Sequence, residues 1–175
     1  GVERHVIVAG GLTGVQIFPD DEIEIINDEG NQVCEITCFN KDGKYDLGIL
    51  NLKENAKASF IKKILDNNDE SSLITNYQLK KRNLNVITSK SSIVFDEDTP
   101  SGEKLKLKSK DKCYAIFSAP SNEMLISDQN PSGDLTLFIK RAKIKNDKEL
   151  TIIPDPMYEP NYEKNIDRQT CISYQ

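Results

Sequence analysis

A glutamate, a glutamine and an asparagine stand close together in an otherwise apolar stretch of the chain. Glu35 lies inside the run from Val33 to Phe39, and Gln32 and Asn40 flank that run. A carboxylate within an apolar strand is either directed to water or buried and paired, and a buried one is a candidate for ligand binding. The amides of Gln32 and Asn40 would supply further donors and acceptors. Gln32, Glu35 and Asn40 are therefore the candidate ligand-binding residues, and the alternative is that they brace the turn.

The cysteines of the same run are candidates for metal binding or nucleophilic catalysis. Cys34 and Cys38 stand four residues apart, so in a strand both point to one face together with Ile36. Zinc needs further ligands, and the sole histidine, His5, has no partner nearby in the sequence. A Cys–His hydrolase would need the same histidine, and the histidine-rich metal sites of small jelly-roll enzymes cannot be built from one. We therefore assign no catalytic residue and no metal site, and expect Cys34 and Cys38 to be small core residues.

The site residues lie on a segment whose pattern predicts a two-strand hairpin, from Ile23 to Asn40. Apolar residues flank the polar cluster from Asn27 to Asn31, whose residue types favour a tight reversal. Gly30 is the residue of that cluster that can adopt a positive φ without strain. The hairpin would place Gln32 and Glu35 next to its turn.

The remainder of the chain reads mostly as short strands separated by turn residues. Such spacing is typical of a sandwich or barrel, so we predict a mainly β fold, a sandwich or distorted barrel with one or two helices. In the strand from Lys104 to Lys108, two leucines alternate with lysines, which indicates one wet face near a sheet edge. The other predicted strands are Val6–Ala9, Leu12–Phe18, Asn85–Thr88, Ser92–Phe95, Lys112–Ser118, Asp134–Ala142 and Leu150–Ile153.

Two segments carry helical spacing. The clearer one runs from about Lys53 to Leu65, with an asparagine as candidate cap and the polar residues from Asp66 to Asn68 as a stop. The weaker one, from Ser71 to Lys81, has an incomplete apolar stripe. Two interpretations of this segment stay open: a helix, or a loop with a short strand.

The chain is long enough for one domain with its own core and changes composition near its end. At 175 residues it can bury roughly 70% of its unfolded surface. We predict a single β-rich domain over residues 1–153 and an extended Pro/Tyr tail or linker over residues 154–175. Met157, Tyr158 and Tyr162 would be costly to leave in water, so we expect this tail to pack on a surface.

Charge and hydropathy exclude several partners. A net charge of −5 argues against nucleic acid, which needs a concentrated basic face. No apolar run approaches the ~18 residues that span a bilayer, and no signal-peptide pattern is present. The four cysteines are too few for a disulfide framework, so we expect a cytoplasmic protein without a membrane partner. Because the chain begins with Gly1 and ends at Gln175 without an obvious terminal element, we expect an excised domain.

Two segments together resemble a known family. The pattern of Gly30, Gln32, Val33 and Glu35, followed by the aromatic–asparagine pair Phe39-Asn40, is similar to that of the urea carboxylase-associated domain family. Glu35 stands where that family more often has aspartate. The proline turn after Ser118 and the later Asn130-Pro131 segment also fit, so the resemblance covers roughly Val15–Asn40 and Ser118–Ala142. The middle of the chain lacks the histidine- and cysteine-containing segments of many relatives.

The resemblance implies a function by association. Members of the family occur beside or fused to glycine-cleavage T-protein-like aminomethyltransferases. It implies that this chain is a non-catalytic accessory domain, N-terminal to a folate-dependent aminomethyltransferase-like module that is its partner. No cofactor is expected in this chain, and tetrahydrofolate would bind the downstream module. The alternative is a stand-alone binding protein or enzyme for a urea- or amine-related metabolite, so whether this chain is an enzyme stays open.

Overall fold

The fold is mainly β, as predicted: two antiparallel sheets lie face to face, with two helices against one of them. A computed structural model of the chain describes residues 1–121, 133–143 and 170–174, the last five for their backbone only. The described elements, in chain order, are β1 (Val2–Ile7), β2 (Leu12–Ile17), β3 (Glu22–Asn27), β4 (Cys34–Phe39), a 3-10 helix (Leu47–Leu50), α1 (Phe60–Asp66), α2 (Glu70–Lys81), β5 (Ser92–Val94), β6 (Glu103–Lys108), β7 (Cys113–Ser118), β8 (Leu135–Lys140) and β9 (Thr170–Tyr174).

Sheet A has four strands in the order β1-β8-β3-β6. Its inner face carries Ile7, Ile23, Ile25, Leu137 and Ile139, which are all fully buried in the core between the sheets. Its outer face carries the alternate side chains, most of which are polar or charged. The strand that contains the alternating lysines, β6, lies at the edge of this sheet, which confirms the sequence prediction.

Sheet B has five strands in the order β5-β4-β7-β2-β9, and its central strands are buried on both faces. All six residues of β4 and all six of β7 are buried. Their inner side chains pack against sheet A, and Phe39, Tyr114 and Ile116 on the outer face pack with residues of α1 and α2. Both faces of these two strands are buried, so an alternation of apolar and polar residues cannot indicate which face meets water.

The helices differ from the sequence prediction in length. The clearer segment forms only α1, which begins at Phe60 rather than near Lys53 and ends at Asp66, at the predicted stop. The weaker segment forms the longer helix, α2, where the Asp69 side chain accepts a hydrogen bond from the Ser72 N–H at 2.7 Å. The incomplete apolar stripe of α2 reflects its position, since it covers sheet B with few buried side chains and leaves others in solvent.

Two sequence predictions about strand pairing and position are wrong. The segment from Ile23 to Asn40 is not a hairpin, because β3 belongs to sheet A and β4 to sheet B. The turn between them instead carries the chain from one sheet to the other, and each strand finds its neighbours from distant segments. Residues 85–88 are not a strand, and the predicted strand from Leu150 to Ile153 lies outside the described residues.

The end of the chain is described only in part. Residues Thr170–Tyr174 form β9, which pairs with β2 at the edge of sheet B. The predicted docking of Met157, Tyr158 and Tyr162 lies outside the described residues. In the described ranges, no helix combines the length and the apolar character that crossing a bilayer requires.

Gly30 has a φ of +80°, which confirms the positive φ predicted for the turn after β3. A Cβ atom at this position would lie 2.6 Å from the Ser101 N atom and 2.8 Å from the Thr99 O atom. The turn is therefore closed by backbone from another segment, with the Asn31 N–H donating to Thr99 O at 2.7 Å. Gly102 has the same φ of +80°, but no atom lies within 4 Å of a Cβ placed there.

Substitutions at these two glycines separate the cost of backbone strain from the cost of steric overlap. Gly102→Ala should destabilise the fold by about 1–2 kcal/mol, the usual cost of a left-handed conformation for alanine. Gly30→Ala should cost more than that, because rigid backbone must also move. Urea unfolding followed by circular dichroism measures both, and equal losses for the two variants would show that the close contacts at Gly30 are relieved without cost.

Candidate functional site

The carboxylate of Glu35 caps helix α1. Glu35 lies on the outer face of β4 and is 1% exposed. Its Oε1 accepts a hydrogen bond from the Phe60 N–H at 3.0 Å, and its Oε2 accepts one from the Ile61 N–H at 2.8 Å. The residue before the helix, Ser59, makes no side-chain capping bond. A negative group from β4 therefore satisfies two of the free N–H groups and complements the positive end of the helix.

Gln32 joins three segments at the same end of the sandwich. Its side chain is fully buried, and its amide nitrogen donates to Pro120 O at 2.9 Å and to Val33 O at 2.8 Å. Its Oε1 accepts from the Gly133 N–H at 2.9 Å. Gln32 thus uses both ends of its amide to hold the segments after β7 and before β8 against the start of β4.

Asn40 lies at the far end of β4 and shapes the next turn. Its Oδ1 accepts from the Asp42 N–H at 2.9 Å and from the Lys44 N–H at 3.2 Å. Five residues of strand separate Asn40 from Glu35, which corresponds to roughly 16 Å. The structure therefore brings Gln32 and Glu35 to one end of sheet B and places Asn40 at the other, and a shared ligand-binding role for the three stays a prediction.

Two polar residues that the sequence did not single out extend the buried group around Gln32 and Glu35. The Ser118 hydroxyl donates to Glu35 O at 3.0 Å, and the Asn27 amide donates to Gln32 O at 2.7 Å. Asn27 is fully buried, and its Oδ1 accepts no hydrogen bond within the part of the chain that the structure describes. Only the polar residue types at the ends of apolar strands could have indicated this group from the sequence.

Cys34 and Cys38 are core residues, as predicted. Cys34, Cys38 and Cys113 are free and buried, and Cys34 and Cys38 share the inner face of β4. Burial, and then the charge of Glu35, raises the pKa of the Cys34 thiol, and the hydrogen bond with Cys113, followed by burial, raises that of Cys38. Thiols in this state are poor nucleophiles. Across the described residues, no three His, Cys, Asp or Glu side chains are grouped so as to hold a metal ion.

A cluster of charged residues closes the other end of the sandwich, and the sequence reasoning missed it. Arg141, just after β8, donates to both carboxylate oxygens of Glu3, one bond through Nε and one of 3.3 Å through Nη2. Its Nη1 donates to Asp21 Oδ2 at 2.7 Å and to the backbone oxygen of Gln16 at 2.8 Å. Burial opposes the charged guanidinium, but these carboxylates outweigh it and raise the pKa of Arg141.

Asp21 is the most buried member of this cluster, at 1% exposure. Besides Arg141, it accepts hydrogen bonds from the Phe18 N–H at 2.9 Å and the Ala142 N–H at 2.8 Å. His5 lies on β1, with its Nε2 3.7 Å from Glu3 Oε1. Burial lowers the pKa of His5 against the opposing charge of Glu3, so the imidazole is neutral near pH 7.

Comparison with known proteins aligns the chain with one part of a larger protein. No family model matches it. Over 174 residues it is 28% identical to the trimethylamine-oxide aldolase of Ruegeria pomeroyi. The alignment covers 99% of this chain and 22% of that protein, so the chain spans about a fifth of its relative's length. The chain is therefore related to one segment of a protein named for amine chemistry, which agrees in part with the family resemblance.

Removing the Glu35 carboxylate should free the start of α1. Glu35→Ala leaves the buried N–H of Ile61 and the partly buried N–H of Phe60 without acceptors and should destabilise the fold by about 2–5 kcal/mol, whereas Glu35→Gln retains one acceptor and should cost less. Hydrogen exchange at the Phe60 and Ile61 amides, together with urea unfolding, tests this. The exposed Glu54 provides the control variant Glu54→Ala, and an unchanged exchange rate in Glu35→Ala would contradict the capping role.

Arg141→Met should leave Asp21 and Glu3 without their cation. Removing one partner of a buried charge cluster is strongly destabilising, so we expect a loss of about 2–4 kcal/mol. Arg4→Met removes an exposed arginine of β1 and should change stability by less than about 0.5 kcal/mol. Adding Asp21→Asn to Arg141→Met should cost less than the two single changes summed. Strict additivity in that cycle would mean that Arg141 and Asp21 do not stabilise each other.

Proposed function

We propose that this chain is a non-catalytic accessory domain of a longer amine-processing enzyme, of the urea carboxylase-associated type. The observation that carries the proposal is the match over nearly the whole chain to only 22% of a larger protein. A domain that aligns from end to end with a segment of an enzyme is expected to act within such a polypeptide. In this proposal the remaining modules carry out the chemistry, and the cytoplasm is the predicted compartment.

The geometry of the predicted site supports a structural role for its residues. Both oxygens of the Glu35 carboxylate already accept hydrogen bonds from α1, and the Gln32 amide uses its oxygen and its nitrogen within the fold. A substrate would have to displace these bonds before either residue could bind it. The buried thiols of Cys34 and Cys38, whose pKa values are raised, are poor nucleophiles.

The partner module would be an aminomethyltransferase-like domain downstream of this chain, which would bind tetrahydrofolate where that cofactor is used. This assignment follows the family resemblance together with the amine-related name of the relative. The role of the domain would be to dock that module or to shape access to its active site.

The experiment compares the 175-residue chain with the complete natural polypeptide that contains it. Trimethylamine N-oxide, named in the relative's activity, is the trial substrate, and its consumption is followed by proton NMR. The proposal expects consumption by the complete polypeptide and none by the chain alone. Consumption by the chain alone would overturn it, as would a natural reading frame that encodes no further module.

A calorimetric titration of the chain tests the binding alternative. Trimethylamine N-oxide, urea and dimethylamine are titrated separately into the wild-type chain and into Asn40→Ala. Asn40 suits this purpose because it lies at a turn near the surface and its loss leaves α1 capped. Saturable binding that Asn40→Ala abolishes would favour a metabolite-binding protein over an accessory domain.

A further inference from the structure

Among the described residues, the outer face of sheet A is far less covered than the outer face of sheet B. Helices α1 and α2 pack on sheet B, whereas the contact seen on the outer face of sheet A is at one end, where Thr136 donates a hydrogen bond to Asp28 of the turn after β3 at 2.6 Å. Val2 is 61% exposed and Val6 is 39% exposed on this face. Phe138, on the neighbouring strand β8, is half-buried. Exposed apolar side chains on a sheet face are typical of a surface that another element covers.

Strand register fixes the pattern of side chains on this face. One row across the sheet consists of Val2, Lys140, Glu22 and Lys108. The next row consists of Arg4, Phe138, Glu24 and Lys106, and the third of Val6, Thr136, Ile26 and Lys104. Three of the four apolar side chains lie on β1 and β8 and the fourth on β3, and the lysines of β6 form a column along the edge.

The net charge of the face is opposite in sign to the net charge of the whole chain. The three rows contain five cationic residues and two carboxylates, a net charge of +3, whereas the whole chain carries −5. Glu24 lies between two lysines, at 3.8 Å from Lys104 Nζ and 3.9 Å from Lys106 Nζ. The ion pairs within the face leave an excess of positive charge, which complements an acidic surface.

The rows enclose a shallow cleft that suits an apolar side chain. Its volume is about 590 Å³, and its lining includes the outer-face residues Val2, Phe138, Lys106 and Lys140. Interfaces commonly seat one apolar or aromatic anchor in such a depression while charged residues surround it. The cleft thus supplies the apolar centre and the lysines supply the rim.

The size of the face suits a tethered partner. Four strands about 4.8 Å apart and six residues of about 3.3 Å give a flat area on the order of 400 Å². Interfaces between domains of one chain bury about 300–750 Å² on each side, less than the roughly 800 Å² that is usual between separate proteins. A face of this size therefore fits a module that the chain itself holds nearby.

We infer that the outer face of sheet A docks an acidic surface of a further module of the same polypeptide, with an apolar side chain of that module over Phe138. The inference rests on the proposed function and adds to it the surface and the chemistry of the contact. Attraction between the lysine column and acidic residues would orient the module, and the cleft would fix its position.

Lysine labelling tests the contact. The chain and the complete natural polypeptide are treated with N-hydroxysuccinimidyl acetate, and the labelling rates of individual lysines are measured by mass spectrometry. We expect Lys106, Lys108 and Lys140 to react at least fivefold more slowly in the complete polypeptide. Lys41 and Lys57, which are exposed away from this face, should react at the same rate in both.

Charge reversal provides the second measurement. Lys106→Glu with Lys108→Glu in the complete polypeptide should restore the labelling of Lys140 to its rate in the chain alone. The matched variant, Lys41→Glu with Lys57→Glu, should leave Lys140 protected. All four lysines are exposed, so neither double variant removes a core contact, and the melting temperature of each is checked in the isolated chain.

The other outcomes overturn the inference in distinguishable ways. Equal labelling in both proteins removes the docking surface and leaves the proposed function standing. In the isolated chain, slower labelling of Lys106, Lys108 and Lys140 than of Lys41 and Lys57 would also contradict the inference. If this protection grows with protein concentration, it assigns the face to a second copy. If it does not depend on concentration, it assigns the face to a segment of this chain. A natural polypeptide without a further module would overturn both the inference and the proposed function.

Discussion

The rest of the structure depends on the need to keep both faces of sheet B out of water. Its central strands, β4 and β7, are buried throughout, with sheet A on one side and the two helices on the other. Within these two strands Glu35 is the one charged residue. Because an unpaired buried carboxylate would be very costly, the start of α1 has to lie where its N–H groups can reach it. The same contact thus compensates a buried charge and fixes the helix layer on the sheet.

The opposite end of the sandwich is closed by charge as well. Arg141 links Glu3 on sheet A and Asp21 at the entry to β3 with the backbone of Gln16 on sheet B. Its planar guanidinium presents several donors in fixed directions, so one residue can hold all three acceptors at once. Apolar packing fills the space between the sheets, and these directional bonds set how the sheets meet at this end.

The polar groups that looked most like a binding site are therefore largely occupied by the fold itself. Gln32 and Glu35 hold the segments around β4, and Cys34 and Cys38 lie in the apolar core, where the pKa of each thiol is raised. What the domain leaves available is surface, above all the positively charged outer face of sheet A. This division, with polar residues committed inside and a patterned face outside, suits a domain whose partner is another module.

The sequence by itself determined the class of fold, the positive φ at Gly30, the edge position of β6 and the burial of Cys34 and Cys38. Each of these follows from local chemistry: residue type, alternation or the freedom of glycine. Only the tertiary structure decided that β3 and β4 part into different sheets, because β3 pairs with β8 and β6, and β4 with β7 and β5, which are all distant along the chain. It also decided which partners the charged residues contact. A carboxylate on a strand has the same sequence signature whether it meets a ligand, a helix end or an arginine 120 positions away, as Asp21 meets Arg141. Partners so distant along the chain leave no local pattern, and only the packed fold brings them within hydrogen-bonding distance.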